Sequence, residues 1–324
     1  IILEELNNNT FSLKNFYERR ARRILPVLIF VILVTSIISF IFLTRSEIAS
    51  YFKSVIATLL FFSNFYFWKT APYFKSESDL EPLLHTWSLS IEEQFYIMFP
   101  ITLVIFYKFF RNHIFLLFIF SFISSFIICQ FLASKTAGGL NFYFTLSRIW
   151  ELALGSICAY LLIYKNLSPS NLIKNLFSII GLFLILFSIF AFNKQTIYPS
   201  FYALLPTIGT ALIILFANEK TFVKKILSIR LLIVLGLMSY SLYLWHQPLL
   251  AFGRIFFEQF SLHQKYISLL LTFSCSIFSY NFIEKIFRNK NKIHSKTFIK
   301  IISFTLIPFI IFSFLSIDFF TSKN

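Results

Sequence analysis

The chain has 324 residues, of which 57% are hydrophobic, 20% aromatic and only 13% charged, with a mean hydropathy of +0.77 and a formal net charge of +15. Soluble domains carry roughly 25% charged residues, so this composition excludes a disordered chain, a collagen, a secreted disulfide scaffold and an ordinary soluble enzyme. Phe supplies 47 residues against 7 Gly, which also argues against a glycine-rich nucleotide-binding sheet. The class is an all-α, polytopic membrane protein. In so apolar a chain the positive charge sets membrane topology and contacts lipid headgroups, and it is not a sign of nucleic-acid binding.

A membrane-spanning helix needs about 20 mostly apolar residues. In chain order, such stretches run over Ile24–Leu43, Phe95–Phe110, Ile114–Leu132, Leu146–Tyr164, Ile173–Phe192, Phe201–Ala217, Leu231–Leu250, Tyr266–Ile283 and Phe298–Ile317. These are nine predicted spans. A tenth stretch, Tyr51–Trp68, is apolar but interrupted by Lys53, Ser54, Ser63 and Asn64. If it crossed the membrane alone, the basic loops Lys220–Arg230 and Lys285–Lys300 would face outward, against the positive-inside rule. An even number of crossings between residues 44 and 94 instead places 19 of the 29 Lys and Arg inside, beginning with Lys14, Arg19, Arg20, Arg22 and Arg23. Tyr51–Trp68 is therefore expected to be a re-entrant or interfacial segment on the outer side. Irregular backbone at that depth is tolerated only where protein or a water-filled cavity covers it. Cys129, Cys158 and Cys275 lie in apolar runs without metal-ligand or disulfide spacing, and they read as small hydrophobes.

Ionisable residues inside a membrane are costly, so each is a functional candidate. The richest stretch is Pro82-Leu-Leu-His-Thr-Trp-Ser-Leu-Ser-Ile-Glu-Glu-Gln-Phe-Tyr96. On a helix His85 and Glu92 share a face about 10 Å apart and can hold and move a proton. Ser90 with Glu93 three residues on has the form of a capping box at a helix start. Arg148 and Glu151 are spaced to pair, which suits a structural ion pair as well as a substrate-binding one. Ser239, Tyr240, Tyr243, His246 and Gln247 place five polar tips in one span ahead of Pro248, a residue that ends helices. An interfacial aromatic belt accounts for Tyr243 and Trp245 but not for His246. His113, His263 and His294 lie in or near loops and read as solvated. Zinc-protease, phosphate-loop, nucleophile-elbow and calcium-loop motifs are all missing from the sequence, so no metal is expected.

Four segments taken in order, FSLKNFYERRARRILP, PLLHTWSLSIEEQFYIMFP, SRIWELALGS and GLMSYSLYLWHQPL, resemble the acyltransferase-3 family, in particular bacterial O-antigen and peptidoglycan O-acetylases. The resemblance covers residues 1–288. It implies a multi-pass enzyme of the bacterial cytoplasmic (inner) membrane, with ten helices, that uses acetyl-CoA to O-acylate a sugar or lipid-linked glycan at the outer face. The family's basic motif matches Arg19, Arg20 and Arg23, which the resemblance makes the grip on CoA phosphates. Its second motif matches His85, Trp87, Ser88 and Glu92, its third Arg148 and Glu151, and its fourth Ser239, Tyr240, Tyr243 and His246.

The family's first two helices carry an Arg-x10-His motif, and this sequence begins after them. Ile24–Leu43 then corresponds to the third family helix and Tyr266–Ile283 to the tenth. Residues 289–324 form an extra helix, resembling the one that leads to an external SGNH-type domain in some members, and that domain is expected to be missing. The principal base is expected upstream of Ile1. His85 and Glu92 are expected to orient the acceptor or relay a proton near the outer mouth, with His246 a third catalytic candidate. Arg148 and Glu151 would fix the cavity wall. Trp87, Ser88, Ser239, Tyr240 and Tyr243 would line the substrate site. The rival readings are a glycolipid transporter or flippase, and a non-catalytic membrane partner in glycan synthesis. Transporters often show inverted repeats and Gly/Pro-broken paired helices, and neither is evident here.

Overall fold

A computed structural model describes residues 1–70, 76–135, 139–165, 169–193, 195–257 and 260–322. Among them every regular element is helical. In chain order these are α1 (Ile2–Asn7), α2 (Leu13–Phe42), α3 (Arg45–Leu59), α4 (Ser63–Thr70), α5 (Thr86–Phe109), α6 (Ile114–Lys135), α7 (Gly139–Tyr143), α8 (Ile149–Tyr164), α9 (Asn171–Ala191) and α10 (Leu204–Phe216). There follow α11 (Phe222–Leu227), α12 (Arg230–Leu237), α13 (Ser239–Phe256), α14 (Leu262–Ser279), α15 (Lys285–Arg288) and α16 (Ser295–Thr321). A π-helical turn, Tyr280–Glu284, joins α14 to α15.

Among the described residues six stretches are long and apolar enough to cross a membrane: Leu13–Phe42, Thr86–Phe109, Arg111–Lys135, Asn171–Ala191, Leu262–Arg288 and Ser295–Thr321. Ile149–Tyr164 and Phe201–Phe216 are apolar but shorter. The expected span Leu231–Leu250 is broken at Met238 into α12 and α13. Tyr51–Trp68 is also broken. Phe61 takes a left-handed backbone conformation (φ 56°), and the amides of Phe61 and Phe62 reach back to the Thr58 and Ala57 carbonyls. This is a Schellman ending, in which glycine usually occupies the left-handed position.

Two compact units divide the chain. The first comprises Ile1–Glu93 and the residues from Leu237 onward. Within it, α2 starts at Ser12, whose side chain accepts from the Asn15 amide, and α3 starts in a capping box of Thr44 and Glu47. Tyr51 ties α3 to α2 through Thr35 (2.7 Å) and Ser36 (3.2 Å). The broken α3–α4 corner is fastened to the start of α5 by buried hydroxyls: Thr58 with Thr86 (2.9 Å), Ser63 with Ser90 (2.7 Å) and Thr86 with Ser63 (3.0 Å). Hydroxyls buried in an apolar medium must pair with one another, so this cluster sets where α5 begins and where His85, just before it, is held. Phe312 of α16 packs on Phe40 and Phe52.

The second unit runs from Gln94 to Gly236. Its α9 and α10 meet at two glycines. A Cβ on Gly181 would lie 2.6 Å from the Gly209 carbonyl oxygen, and one on Gly209 would lie 2.7 Å from that of Gly181. Close backbone approach over small residues is how helices associate where lipid removes the hydrophobic drive. Trp150 is fully buried between Phe122 and Phe126. Asn141 donates to the Cys129 and Pro199 carbonyls at 3.0 and 2.8 Å, which gives a buried amide its partners.

Candidate functional site

In the first unit α5 and α13 run antiparallel, and their polar residues meet in register. The Tyr243 hydroxyl lies 2.9 Å from Ser88 Oγ and donates to the His85 carbonyl. The Tyr243 ring meets the His85 ring edge-on at 4.9 Å, and the His246 ring meets it at 5.2 Å. His246 Nδ1 is 2.6 Å from the Tyr243 carbonyl, which fixes that imidazole against its own helix. One residue further, Gln247 donates to the Glu81 carbonyl at 3.1 Å. His85 is only 8% exposed, and neither of its ring nitrogens has a hydrogen-bond partner among the described residues. A buried imidazole without a partner costs free energy unless a ligand or water completes it.

The same column continues in the other direction to the basic end of α2. Tyr240 donates to the Ile24 carbonyl at 2.9 Å. Glu93 is buried and pairs with Arg20 at 3.6 Å, and Glu92 is exposed within the electrostatic reach of Arg20 and Arg23. One expectation is corrected here. Ser90 and Glu93 form no capping box, because α5 starts at Thr86, Ser90 bonds Ser63, and Glu93 is drawn to a guanidinium. Glu92, seven residues on from His85, lies at the basic end of the column, within the reach of Arg20 and Arg23.

The predicted residues divide as follows. His85, Ser88, Tyr243 and His246 form one contact group, and Arg20, Arg23, Glu92 and Glu93 form a second. Tyr240 stands at the level of the second group. Trp87 is half-buried in the first turn of α5. Ser239 is exposed at the start of α13 and joins neither group. Pro248 does not end the helix, because α13 runs through it to Phe256. A proline removes one amide, and the turns on either side keep theirs. Arg19 is exposed and pairs with Glu5 at 3.0 Å. Arg23 is exposed and makes no ion pair among the described residues. Arg148 and Glu151 belong to the second unit, where they pair at 3.2 Å and Arg148 lies over the rings of Tyr198 (5.2 Å) and Phe142 (5.9 Å).

Sequence reasoning missed two polar knots. Arg22, 2% exposed, points away from its three neighbouring arginines: it pairs with Glu18 (2.8 Å), donates to the Phe287 carbonyl (3.0 Å) and lies 4.6 Å over Phe298. Glu18 also accepts from Ser295 and pairs with Lys290, so α2 is locked to α16. The second knot is Glu284, 1% exposed in the π-turn, which accepts from Ser241 (2.9 Å) and from Arg288 (3.1 Å). The i, i+4 spacing of Glu18 to Arg22 was the available signal for the first knot. Nothing local signals the second.

The profile of a family described as an acyltransferase domain matches residues 2–283. The chain belongs to the acyltransferase-3 family. It is 31% identical over 307 residues to the O-acetyltransferase OatA of Staphylococcus aureus, covering 90% of this chain and 50% of that protein. A putative O-acetyltransferase of the same species is 32% identical over 305 residues, with the same coverage of 90% and 50%. An uncharacterised protein of Haemophilus influenzae is 34% identical over 226 residues, 66% of this chain and 91% of its own length. The chain thus spans about half the length of the staphylococcal relatives it matches. No solved structure matches it. The protein is a multi-pass membrane protein carrying an acyltransferase domain.

Proposed function

We propose that this protein moves an acetyl group from acetyl-CoA to a hydroxyl of a cell-surface polysaccharide or lipid-linked glycan. The observation that carries the reading is the buried, unpartnered His85 imidazole between Tyr243 and His246, in a polar column that starts at the Arg20–Arg23 cluster. Acyl transfer needs a base for the acceptor hydroxyl and donors for the developing oxyanion. The acceptor oxygen forms a bond to the thioester carbonyl carbon as the C–S bond breaks. His85 relays the hydroxyl proton through a free ring nitrogen, and the proton ends on the departing thiolate. His246, whose ring lies 5.2 Å from that of His85, serves as a second acceptor. Arg23, with Arg20 and Arg19, suits the phosphates of CoA, because guanidinium groups bind phosphate oxygens in pairs. Glu92 and Glu93 hold the inner group of arginines in place.

The test replaces His85 by Gln in the chromosomal gene and measures ester-linked acetate released from surface polysaccharide by mild alkali. Loss of most of that acetate at normal protein level is expected. Full acetylation would remove His85 from the reaction.

A further inference from the structure

The polar column has a second end. At the α2–α3 corner a cleft of about 280 Å³ is lined by Leu43, Ser46, Glu47, Ser50, Glu81 and Ile255, among others. It lies ~30 Å along α2 from Arg23, at 1.5 Å per residue, which is the thickness of a bilayer core. One short segment of chain links its wall to the site. The Glu81 carbonyl receives Gln247, the neighbour of His246, and also the Leu84 amide next to His85. The cleft and the unpartnered, nine-tenths-buried His85 are therefore joined by one short segment, residues 81–85.

Its two carboxyl groups have oxygens left to bind. The Glu81 carboxyl is half-buried and makes no hydrogen bond or ion pair among the described residues. Glu47 uses Oε2 for its cap on Thr44, leaving Oε1. Ser50 is braced by the Tyr66 hydroxyl at 3.1 Å. Such a mixture of apolar wall and a few convergent acceptors is what small-molecule clefts are made of, and the volume falls just below the small end of their range. It has room for one ring of a glycan, with the rest of the chain left outside.

We propose that this cleft is the entry subsite for the acceptor, where Glu47 and Glu81 select an uncharged, hydroxyl-rich sugar and repel an anionic one. The inference rests on the acyl-transfer reading above and names its acceptor class. Sugar hydroxyls donate to the two carboxyl groups, and Leu43 and Ile255 cover an apolar ring face. A phosphate or uronate there would face two acidic groups and would also lose its hydration. Burial and the nearby Glu47 charge raise the Glu81 carboxyl above its ordinary range.

Binding is measured on the full-length protein in lipid nanodiscs by thermophoresis, with chitotetraose and maltotetraose as neutral probes and tetragalacturonate as the anionic one. The wild type is expected to bind at least one neutral probe and not the anionic one. Glu81→Gln is expected to weaken neutral binding about tenfold, the value of one charge-assisted hydrogen bond. Glu47→Gln should weaken it less, because half of that carboxylate is already engaged. Glu81→Lys should admit the anionic probe. If the wild type binds neither neutral probe, or if both Gln variants bind like the wild type, the proposal is overturned. Acetyl transfer is scored separately on surface polysaccharide. Selective sugar binding without any transfer would fail the acyltransferase reading and leave the subsite standing.

Discussion

Replacing Tyr243 by Phe removes one oxygen and nothing else. The ring stays, and with it the edge-on contact to His85 at 4.9 Å and the tilted one to His246 at 5.8 Å, so no cavity opens. What is lost is the bond donated to the His85 carbonyl and the one shared with Ser88 Oγ. Each is worth about 1 kcal/mol net, and an abandoned buried carbonyl costs about 1–3 kcal/mol. Ser88 still donates to that carbonyl at 3.2 Å, so the total settles at about 1–2 kcal/mol by the same scale. The effect on rate should be larger in proportion, because Tyr243 holds the backbone that carries His85. A shift of 1 Å in a reacting group costs about 10²-fold, and a partial shift places the loss between about tenfold and that limit. The assay is acetyl transfer in isolated membranes with labelled acetyl-CoA, together with protein level and thermal unfolding in detergent. Turnover is expected to fall with KM for acetyl-CoA unchanged, the signature of a positioning residue. Unaltered turnover in a protein destabilised as stated would refute the idea that Tyr243 positions His85.

Two further substitutions test the packing on which the site depends. Arg22→Ala should destabilise the first unit by about 3–5 kcal/mol, because it strands Glu18 in a buried ion-pair network, whereas Arg19→Ala, at a pair whose arginine is 42% exposed, should cost about 0–1 kcal/mol; unfolding midpoints in detergent separate the two, and equal shifts would show that Arg22 is not a lock. Gly209→Ala places a methyl carbon 2.7 Å from the Gly181 carbonyl and should cost about 1–3 kcal/mol as overpacking, read as a lower unfolding midpoint; an unchanged midpoint would mean that α9 and α10 separate at no cost.

Much of the site was legible because membranes make polar residues conspicuous. His85, Ser88, Tyr243 and His246 stand out among Leu, Ile and Phe, and they do converge. The pairing of Arg148 with Glu151 followed from spacing alone. Other assignments failed where a local rule met a tertiary partner. Glu93 looked like a capping residue until Arg20, seventy-three positions earlier, claimed it. Arg22 looked like one more topogenic cation, yet a fully packed site on α16 takes it out of solvent. Pro248 looked like a helix end, and packing of the flanking turns carries α13 past it.

By itself the sequence determined the solvent, the helical class and the identity of the scarce polar side chains, since those follow from composition and from the cost of placing charge in oil. Only the tertiary structure decided which of those side chains share a pocket. Hydrogen bonds such as that from Tyr243 to the His85 carbonyl join residues more than 150 positions apart, and no periodicity in the chain encodes so distant a meeting. The register of α5 against α13, held by the Tyr243 hydroxyl on Ser88 and on the His85 carbonyl, is what brings the two imidazoles face to edge.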